Sequence, residues 1–210
     1  VSPPQEHLVV TNPMRPWWER YQPVSYKLNS RSGTETEFAA MVERCNKAGV
    51  RIYVDAVINH MVGSDRGAGY GIGGCWYNVS TESFSCVPYT AEDFNGPWDC
   101  PTGNQGIMNW DDPVQVRNCR LVGLLDLATT LADTRTKIVG YLNKLIRYGV
   151  AGIRIDAAKH IWPDDLKAMM GMTEDLPTAH FPANSRMVTF QEVIDWGNSP
   201  ISNAEYIGSG

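Results

Sequence analysis

Two stretches of the chain repeat the same order of hydrophobic and polar positions. Apolar residues recur at helical spacing in the first stretch at Phe38, Met41, Val42 and Cys45. They recur in the second at Ile138, Leu142, Leu145 and Ile146. A glycine, Gly49 or Gly149, follows each set, and a short β-branched segment comes next, VRIYVDAVINH or VAGIRIDAAKH. Each stretch therefore predicts an amphipathic helix that ends at glycine and leads into a strand.

Acidic residues close the predicted strands. Asp55 and Asp156 end the first two, and a third strand, MVTFQEV, ends with Glu192. Repeated helix–strand units predict a parallel sheet with both faces covered. The carboxyl ends of parallel strands are where barrel enzymes hold their catalytic residues. The three acids are therefore a candidate active site, although a single such acid would be better explained as a cap on the following helix or turn.

The spacing of the acids predicts an insertion. Asp156 and Glu192 are 36 residues apart, which suits one helix–strand unit, whereas Asp55 and Asp156 are 101 residues apart. Residues 61–121 lie between the first two units, are rich in glycine, proline and aromatic residues, and hold four of the five cysteines. We expect a small irregular subdomain there, stapled by disulfides. The prolines before about residue 33 predict a loop-like start.

Composition excludes several classes of protein. The 210 residues are 43% hydrophobic, enough for a sizeable core, which argues against a disordered tail. A net charge of −5 argues against a nucleic-acid-binding protein. No apolar run approaches the roughly 20 residues of a membrane span. The chain starts at Val1 rather than Met, so we expect it to be part of something longer.

The cysteines favour an oxidising compartment. They are Cys45, Cys75, Cys86, Cys100 and Cys119. No C-x-x-C pair is present, so a zinc site or a thioredoxin-like motif is disfavoured, and disulfides are the better interpretation. The odd number leaves one cysteine without a partner inside the chain. One sequon, Asn78-Val79-Ser80, also fits secretion.

Arg154 adds a cation to the candidate active site. It lies two residues before Asp156, so both side chains point to one face of the strand. A charge in so apolar a strand must be paired. It forms either a simple buried salt bridge or a cation that holds carboxylates, or a bound anion, beside a reacting centre. Paired carboxylates on one rim suggest glycoside hydrolysis, with one nucleophile and one proton donor.

Aromatic and histidine side chains are candidates for substrate contacts. The segment RPWWERYQP carries Trp17, Trp18 and Tyr21 in a loop, where they either pack or stack on sugar rings. His60 and His160 follow their strand-end acids by five and four residues. Each is either a histidine of the core or helix start, or a group that holds substrate hydroxyls.

Five motifs together resemble the animal-type α-amylases of glycoside hydrolase family 13. The segments DAVINH (55–60), GIRIDAAKH (152–160) and FQEVID (190–195) are similar to three signature regions of that family. The others are GLLDLA (123–128) and NPMRPWWERYQPVSYKL (12–28), which resemble a short motif of the family's inserted domain and the substrate-binding loop of the animal enzymes.

The resemblance implies a fold and a reaction. The fold is α/β, a partial (β/α)8 barrel with an irregular β-rich domain B inserted after the third strand. Residues 1–60 and 122–210 are then parts of the barrel, and residues 61–121 are domain B. The reaction is retaining hydrolysis of internal α-1,4-glucosidic bonds in starch and glycogen. Because a third catalytic aspartate of the family falls after Gly210, the chain alone is expected to be inactive.

The resemblance also implies roles for individual residues. Asp156 is the nucleophile, and Glu192 is the proton donor and then the base. Asp55 is a supporting acid. The other implied substrate contacts are Trp17, Trp18, Tyr21, Gln22, His60, Lys159 and His160.

Two ions are implied by the resemblance. A structural calcium falls to Asn59, Arg117, Asp126 and His160. Because calcium prefers oxygen ligands, Arg117 and His160 would bind through backbone carbonyls. Arg154 falls on a chloride-ligand position, and a nearby anion raises the pKa of a carboxylic acid, here that of Glu192.

The resemblance suggests how the cysteines pair. Cys100 and Cys119 have the spacing of a domain B disulfide, and Cys75 and Cys86 are the remaining nearby pair. Cys45 matches a cysteine whose partner in the family lies before Val1. The position of a further family cysteine is Asn29 here, so one disulfide of the vertebrate enzymes is absent.

Location, partners and rival functions complete the expectations. A secreted, extracellular digestive enzyme is implied, monomeric at full length, that binds starch, glycogen and maltooligosaccharides but neither nucleic acid nor membrane. An α-glucosidase or a transglycosylase of the same family is one alternative. A non-catalytic amylase-like binding subunit is another, disfavoured because Asp156 and Glu192 are both present.

Overall fold

The computed structural model describes residues 1–197 and 199–207. The strands in these ranges are β1 (Tyr53–Ala56), β2 (His60–Gly63), β3 (Ala68–Tyr70), β4 (Trp76–Asn78), β5 (Ser83–Phe84), β6 (Leu124–Asp126), β7 (Gly152–Ile155) and β8 (Val188–Gln191). The α-helices are α1 (Glu35–Lys47), α2 (Pro113–Asn118), α3 (Ala132–Arg147) and α4 (Pro163–Gly171).

The two predicted helix–strand units are present as α1–β1 and α3–β7. Side chains on the apolar face of α3 are fully buried, at Ile138, Leu142 and Leu145. Gly49 and Gly149 follow the two helices with φ of 75° and 88°, in the left-handed region that favours glycine. The pattern of the sequence therefore predicts these two units correctly.

A three-stranded parallel sheet carries the candidate acids. Strand β7 lies in the middle and pairs in parallel with β1 and with β8. The pairing extends to the acids, since the Asp156 amide donates to the Ala56 carbonyl and the Glu192 amide to the Ile155 carbonyl, both at 3.0 Å. The carboxyl ends of all three strands therefore meet at one edge of the sheet.

One face of this sheet is open, which corrects the prediction that both faces are covered. Tyr53, Val188 and Phe190 are 37%, 53% and 51% exposed. They lie on the face that also carries Arg154, and no described element covers them. A Cβ on Gly152 would lie only 2.4 Å from Cε1 of Tyr53, so the glycine makes room for that ring. The periodicity of a strand predicts which residues share a face, but not whether the chain supplies a second layer.

Residues 61–121 hold short antiparallel strands and both disulfides. Strands β3, β4 and β5 form one antiparallel sheet, and β2 pairs with β6 beyond the segment. The disulfides are Cys75–Cys86 and Cys100–Cys119, the two expected pairs. Cys45 is a free, half-buried thiol.

The start of the chain is largely irregular, as its prolines predict, with a 3₁₀ helix at Trp17–Tyr21. Several of its side chains are nevertheless fully buried, among them Gln5, Glu6 and His7. No helix in the described residues is both long and apolar enough to span a membrane.

Candidate active site

Arg154 lies at the centre of the acidic cluster and contacts all three strand-end acids. Its Nη1 is 2.6 Å from Oδ1 of Asp55 and 3.0 Å from Oδ1 of Asp156. Its Nη2 is 2.7 Å from Oε1 of Glu192. Arg154 is therefore paired, as its position in an apolar strand predicts. One guanidinium faces three carboxylates, so the cluster carries an excess of negative charge whenever all three are ionised.

The register of the sheet explains this arrangement. Asp55 is the neighbour of Arg154 across the β1–β7 pair, and Asp156 lies two residues further along the same face. Glu192 directly follows β8 on the other side of β7. The guanidinium of arginine is a planar group with several N–H donors, so it can bind several carboxylates at once.

Asp156 has a raised pKa. Burial raises its pKa from 3.8 to about 6, and the charges of Glu192 and Asp55 add to the increase, while Arg154 opposes it. Its Oδ1 accepts a hydrogen bond from Arg154, whereas Oδ2 has no partner among the described residues. Asp156 therefore has one oxygen held in place and one free to react.

Asp55 and Glu192 are held through both of their carboxylate oxygens. The Tyr21 hydroxyl donates to Oδ2 of Asp55 at 2.9 Å, and burial together with this hydrogen bond raises the pKa of Tyr21 to about 12. The backbone N–H of Ala157 donates to Oε2 of Glu192 at 2.8 Å. Ala157 has φ of 51°, a conformation that non-glycine residues seldom adopt, and it aims its N–H at the acid.

A cavity of about 540 Å³ opens beside Glu192. Two predicted substrate contacts, Lys159 and His160, line it. Lys159 is fixed by a 2.7 Å hydrogen bond from Nζ to the Ile194 carbonyl. The indole rings of Trp110 and Trp196 also line the cavity, and they are 51% and 85% exposed. Sequence analysis missed both, because they lie in loops where no spacing marks them.

A second cavity, of about 360 Å³, lies on the Asp55 side of the cluster. Trp18, Tyr21 and Gln22 line it, all predicted contacts. Trp17 does not line it, and its indole is 74% exposed beside the Tyr21 ring. Tyr21 links this cavity to the cluster, because its hydroxyl donates to Asp55.

The two candidate histidines differ in the number of ring nitrogens that have no protein partner. Nε2 of His60 contacts the Tyr21 carbonyl at 2.9 Å, its Nδ1 contacts Asn59, and burial lowers its pKa to about 4. Both ring nitrogens of His60 therefore have protein partners, and its contact with a substrate hydroxyl stays a prediction. Nδ1 of His160 contacts the Val116 carbonyl at 2.8 Å, and its Nε2 has no partner in the described residues.

The residues expected to bind calcium form two pairs. Asn59 Nδ2 is 3.4 Å from Oδ1 of Asp126, and the Asn95 amide, which sequence analysis missed, donates to Oδ2 at 2.7 Å. Burial raises the pKa of Asp126 well above its usual value. In the second pair, the ring of His160 contacts the backbone next to Arg117. The side chain of Arg117 points to Glu205 and so leaves only its backbone for a metal.

Comparison with known proteins shows which proteins this chain is similar to. No family model matches the chain. The chain is 58% identical to the pancreatic alpha-amylase of Sus scrofa over 211 aligned residues, which cover 100% of this chain and 41% of that protein. This chain is homologous to the animal α-amylases along its whole length. The pancreatic alpha-amylase of Homo sapiens is 53% identical with the same coverage.

A solved structure shows the same relationship to the α-amylases. A mutant of alpha-amylase I from Eisenia fetida, in complex with maltohexaose, matches with a TM-score of 0.96 and 48% identity. The match covers 98% of this chain and 41% of that one. The resemblance found in the motifs is therefore confirmed, and the chain spans about two fifths of the length of these α-amylases.

Proposed function

We propose that this chain is the central part of a retaining α-amylase that hydrolyses internal α-1,4-glucosidic bonds in starch and glycogen. The observation that carries the proposal is the contact of one guanidinium, that of Arg154, with all three strand-end acids. Homology to α-amylases over the whole chain agrees with it, and the maltohexaose bound to the Eisenia fetida relative supports an α-glucan substrate.

We assign the reacting roles to Asp156, which has a free Oδ2, and to Glu192, which lines the cavity of about 540 Å³. Oδ2 of Asp156 attacks the anomeric carbon of the glucose unit, and the bond to the glycosidic oxygen breaks. Glu192 gives its proton to that oxygen, and then takes one from the water that releases the covalent sugar. Asp55 makes no such transfer and holds Arg154 and Tyr21 in place. Retention needs a separation of about 5–5.5 Å between the carboxyl groups of Asp156 and Glu192.

The products of the full-length protein test the function. We expect short maltooligosaccharides from starch, released first as the α-anomer in a proton NMR time course. Glucose as the main product would indicate an α-glucosidase, and longer transfer products a transglycosylase. Binding of starch without cleavage would indicate a non-catalytic subunit. Release of the β-anomer would contradict the assigned roles of the two acids.

The domain organisation belongs to the same proposal. Residues 1–60 and 122–210 are parts of a (β/α)8 barrel, and residues 61–121 are domain B. The three parallel strands and the open face around Tyr53, Val188 and Phe190 support this, because closure of the sheet into a barrel would enclose that face. Both disulfides staple the proposed domain B.

The raised pKa of Asp156 predicts the acid side of the pH profile. Asp156 reacts only when ionised, and its pKa is raised to about 6. We therefore expect kcat/KM of the full-length protein to rise with pH up to about 6, and to fall roughly tenfold per pH unit below it. Asp55→Asn removes one negative neighbour, so this limb should move to lower pH in that variant. A limb near pH 4 in the unmodified protein would contradict the prediction.

Calcium fits the surroundings of Asp126. The Asp126 carboxylate is almost completely buried and accepts its hydrogen bonds from two neutral amides, with no cationic side chain in contact among the described residues. A buried carboxylate without a counter-charge is costly, and a cation removes that cost. We propose that Asn59 and Asp126 bind Ca²⁺ with side-chain oxygens, which requires the Asn59 amide to present Oδ1. Arg117 and His160 contribute backbone carbonyls.

Removal of calcium should destabilise the full-length protein. A chelator is expected to lower the midpoint of thermal unfolding, by the equivalent of about 3–4 kcal/mol if calcium was at 100–1,000 times its Kd. Asp126→Asn should lower the midpoint in calcium and abolish the effect of the chelator. Asp164→Asn, at an exposed position on α4, is the control and should respond to the chelator as the unmodified protein does. Equal midpoints with and without chelator would refute the site.

Chloride is less well supported by the residues described. The contacts of the Arg154 guanidinium all go to carboxylates, and three acids around one cation repel a further anion. The described residues therefore do not form a chloride site by themselves. Equal activity of the full-length protein with and without chloride would exclude chloride as an activator.

Location and assembly complete the proposal. Two disulfides support a secreted, extracellular protein, and the pancreatic relatives support a digestive role. We also propose that the full-length protein is a monomer that binds starch, glycogen and maltooligosaccharides, and that it binds neither nucleic acid nor membranes. Sedimentation of the purified full-length protein tests the first point.

A further inference from the structure

The outer face of the β3–β4–β5 sheet carries an asparagine beside two exposed aromatic rings. Asn78 is the last residue of β4, and Trp76 lies two residues earlier on the same face, with buried Tyr77 between them on the opposite face. Tyr70 pairs with Trp76 across β3 and β4, and the two ring centroids are 4.9 Å apart. Tyr70 and Trp76 are 65% and 40% exposed, so this face is open to solvent.

The amide of Asn78 is presented in a defined orientation. Its Oδ1 accepts hydrogen bonds from the backbone N–H of Ser80 at 3.0 Å and from the Ser80 hydroxyl at 2.7 Å. Its Nδ2 has no hydrogen-bond partner in residues 1–197 and 199–207 and is not among the buried polar atoms that lack one. The nitrogen is thus left facing solvent, while the oxygen is engaged by the serine of the Asn-Val-Ser sequon.

We propose that Asn78 carries an N-linked glycan whose first N-acetylglucosamine packs against Trp76. The proposal rests on the secretory route given above, because this modification takes place there. In the transfer, Nδ2 of Asn78 forms a bond to the anomeric carbon of a lipid-pyrophosphate-linked oligosaccharide, the bond from that carbon to the pyrophosphate breaks, and Nδ2 loses one proton. The lipid pyrophosphate is the leaving group.

Two features of the fold favour this site. The sequon lies at the end of a strand, on a sheet face where Tyr70 and Trp76 are exposed to solvent. Trp76 lies on the same face two residues away, where an indole offers a flat apolar surface to the C–H groups of a sugar ring. Residues 1–210 hold no second Asn-X-Ser or Asn-X-Thr sequon, so a glycan within these residues is attached to Asn78.

Secretion of the full-length protein from a eukaryotic cell, behind a signal peptide known to work, tests the modification. Peptide mapping after peptide N-glycosidase treatment should find Asn78 converted to aspartate, and the untreated peptide should carry the sugar. Ser80→Ala should abolish the modification without changing Asn78, and Ser80→Thr should keep or increase it. Secreted, starch-cleaving protein with unmodified Asn78 would overturn the proposal and leave the proposed function standing.

The contact with Trp76 has its own test. Protein trimmed by an endoglycosidase to a single N-acetylglucosamine at each glycosylated asparagine should unfold at a higher temperature than Ser80→Ala protein treated in the same way, which has none at Asn78. In a Trp76→Ala background that difference should disappear, whereas in the control background Trp98→Ala it should remain, since Trp98 is 99% exposed in a separate loop. An equal difference in all three backgrounds would overturn the packing against Trp76.

Discussion

Asp156→Asn in the full-length protein should lower kcat on starch by roughly 10⁴-fold or more, with little change in the midpoint of thermal unfolding. The free Oδ2 of Asp156 is the proposed attacking atom, and an amide oxygen does not replace it. The fold should persist, because asparagine keeps the shape of the side chain and its Oδ1 can still accept from Arg154. Loss of a carboxylate from an overcrowded anionic cluster also offsets part of the lost ion pair.

Glu192→Gln should behave differently once the leaving group is changed. On starch, loss of the proton donor should cost about 10²–10⁴-fold. With an aryl maltoside whose phenol is acidic, departure needs no proton, so Glu192→Gln should still release the phenol in a first turnover. Asp156→Asn should release none. The matched controls are Asp164→Asn and Glu92→Gln, two exposed acids that should leave activity unchanged.

The contrast between these variants decides the roles. If Asp156→Asn released the phenol and Glu192→Gln did not, the nucleophile and the proton donor would have to be exchanged. If both variants retained substantial activity on starch, neither acid would be catalytic. Burst kinetics with the aryl maltoside gives the number of phenol molecules released per site.

Local patterns predicted the framework of the fold, and the reason is physical. Ile138, Leu142 and Leu145 recur with the period of a helix, and Gly149 adopts a left-handed conformation that ends it. These signals act over a few residues, so a single sequence carries them. The same holds for Arg154, whose pairing follows from a charge placed in an apolar strand.

Features that depend on distant parts of the chain were not predictable in this way. Trp110 and Trp196 reach the cavity beside Glu192 through loops without periodicity. His60 loses its free ring nitrogen to a carbonyl of Tyr21, 39 residues away. Asn95, which donates to Asp126, is a neutral amide with no charge pattern to mark it. Only the tertiary structure brings these groups together.

The two ions illustrate the limit of a motif. The motifs give ligand positions for both calcium and chloride. The charges around these positions, however, favour calcium and disfavour chloride. Asp126 is a buried carboxylate that lacks a counter-charge, and this favours a cation. Arg154 already contacts three carboxylates, and their negative charge disfavours a further anion. The electrostatic surroundings of a residue, rather than its motif, decide which ion it suits.

Arg154→Met should lower the stability of the fold more than any other substitution in the cluster. It keeps an unbranched side chain of similar reach but leaves Asp55, Asp156 and Glu192 without a cation. We expect a loss of about 2–4 kcal/mol in the free energy of unfolding at neutral pH, below the cost of breaking a fully buried pair because Glu192 is partly exposed. The acid limb of the pH profile should move to higher pH, since Arg154 is the group that opposes the raised pKa of Asp156.

Arg154→Lys separates charge from geometry. A lysine restores one positive charge, so most of the stability should return and the acid limb should move back toward pH 6. One ammonium does not reach two carboxylates on β1 and β7 and a third after β8 in the way a planar fork does. Activity should therefore stay at least about tenfold below that of the unmodified protein.

The loss of stability in Arg154→Met should depend on pH. The raised pKa of Asp156 means that its ionisation opposes folding, so Arg154→Met should lose most stability above pH 6 and least near pH 4. An equal loss at both pH values would show that Arg154 acts through packing rather than through its charge.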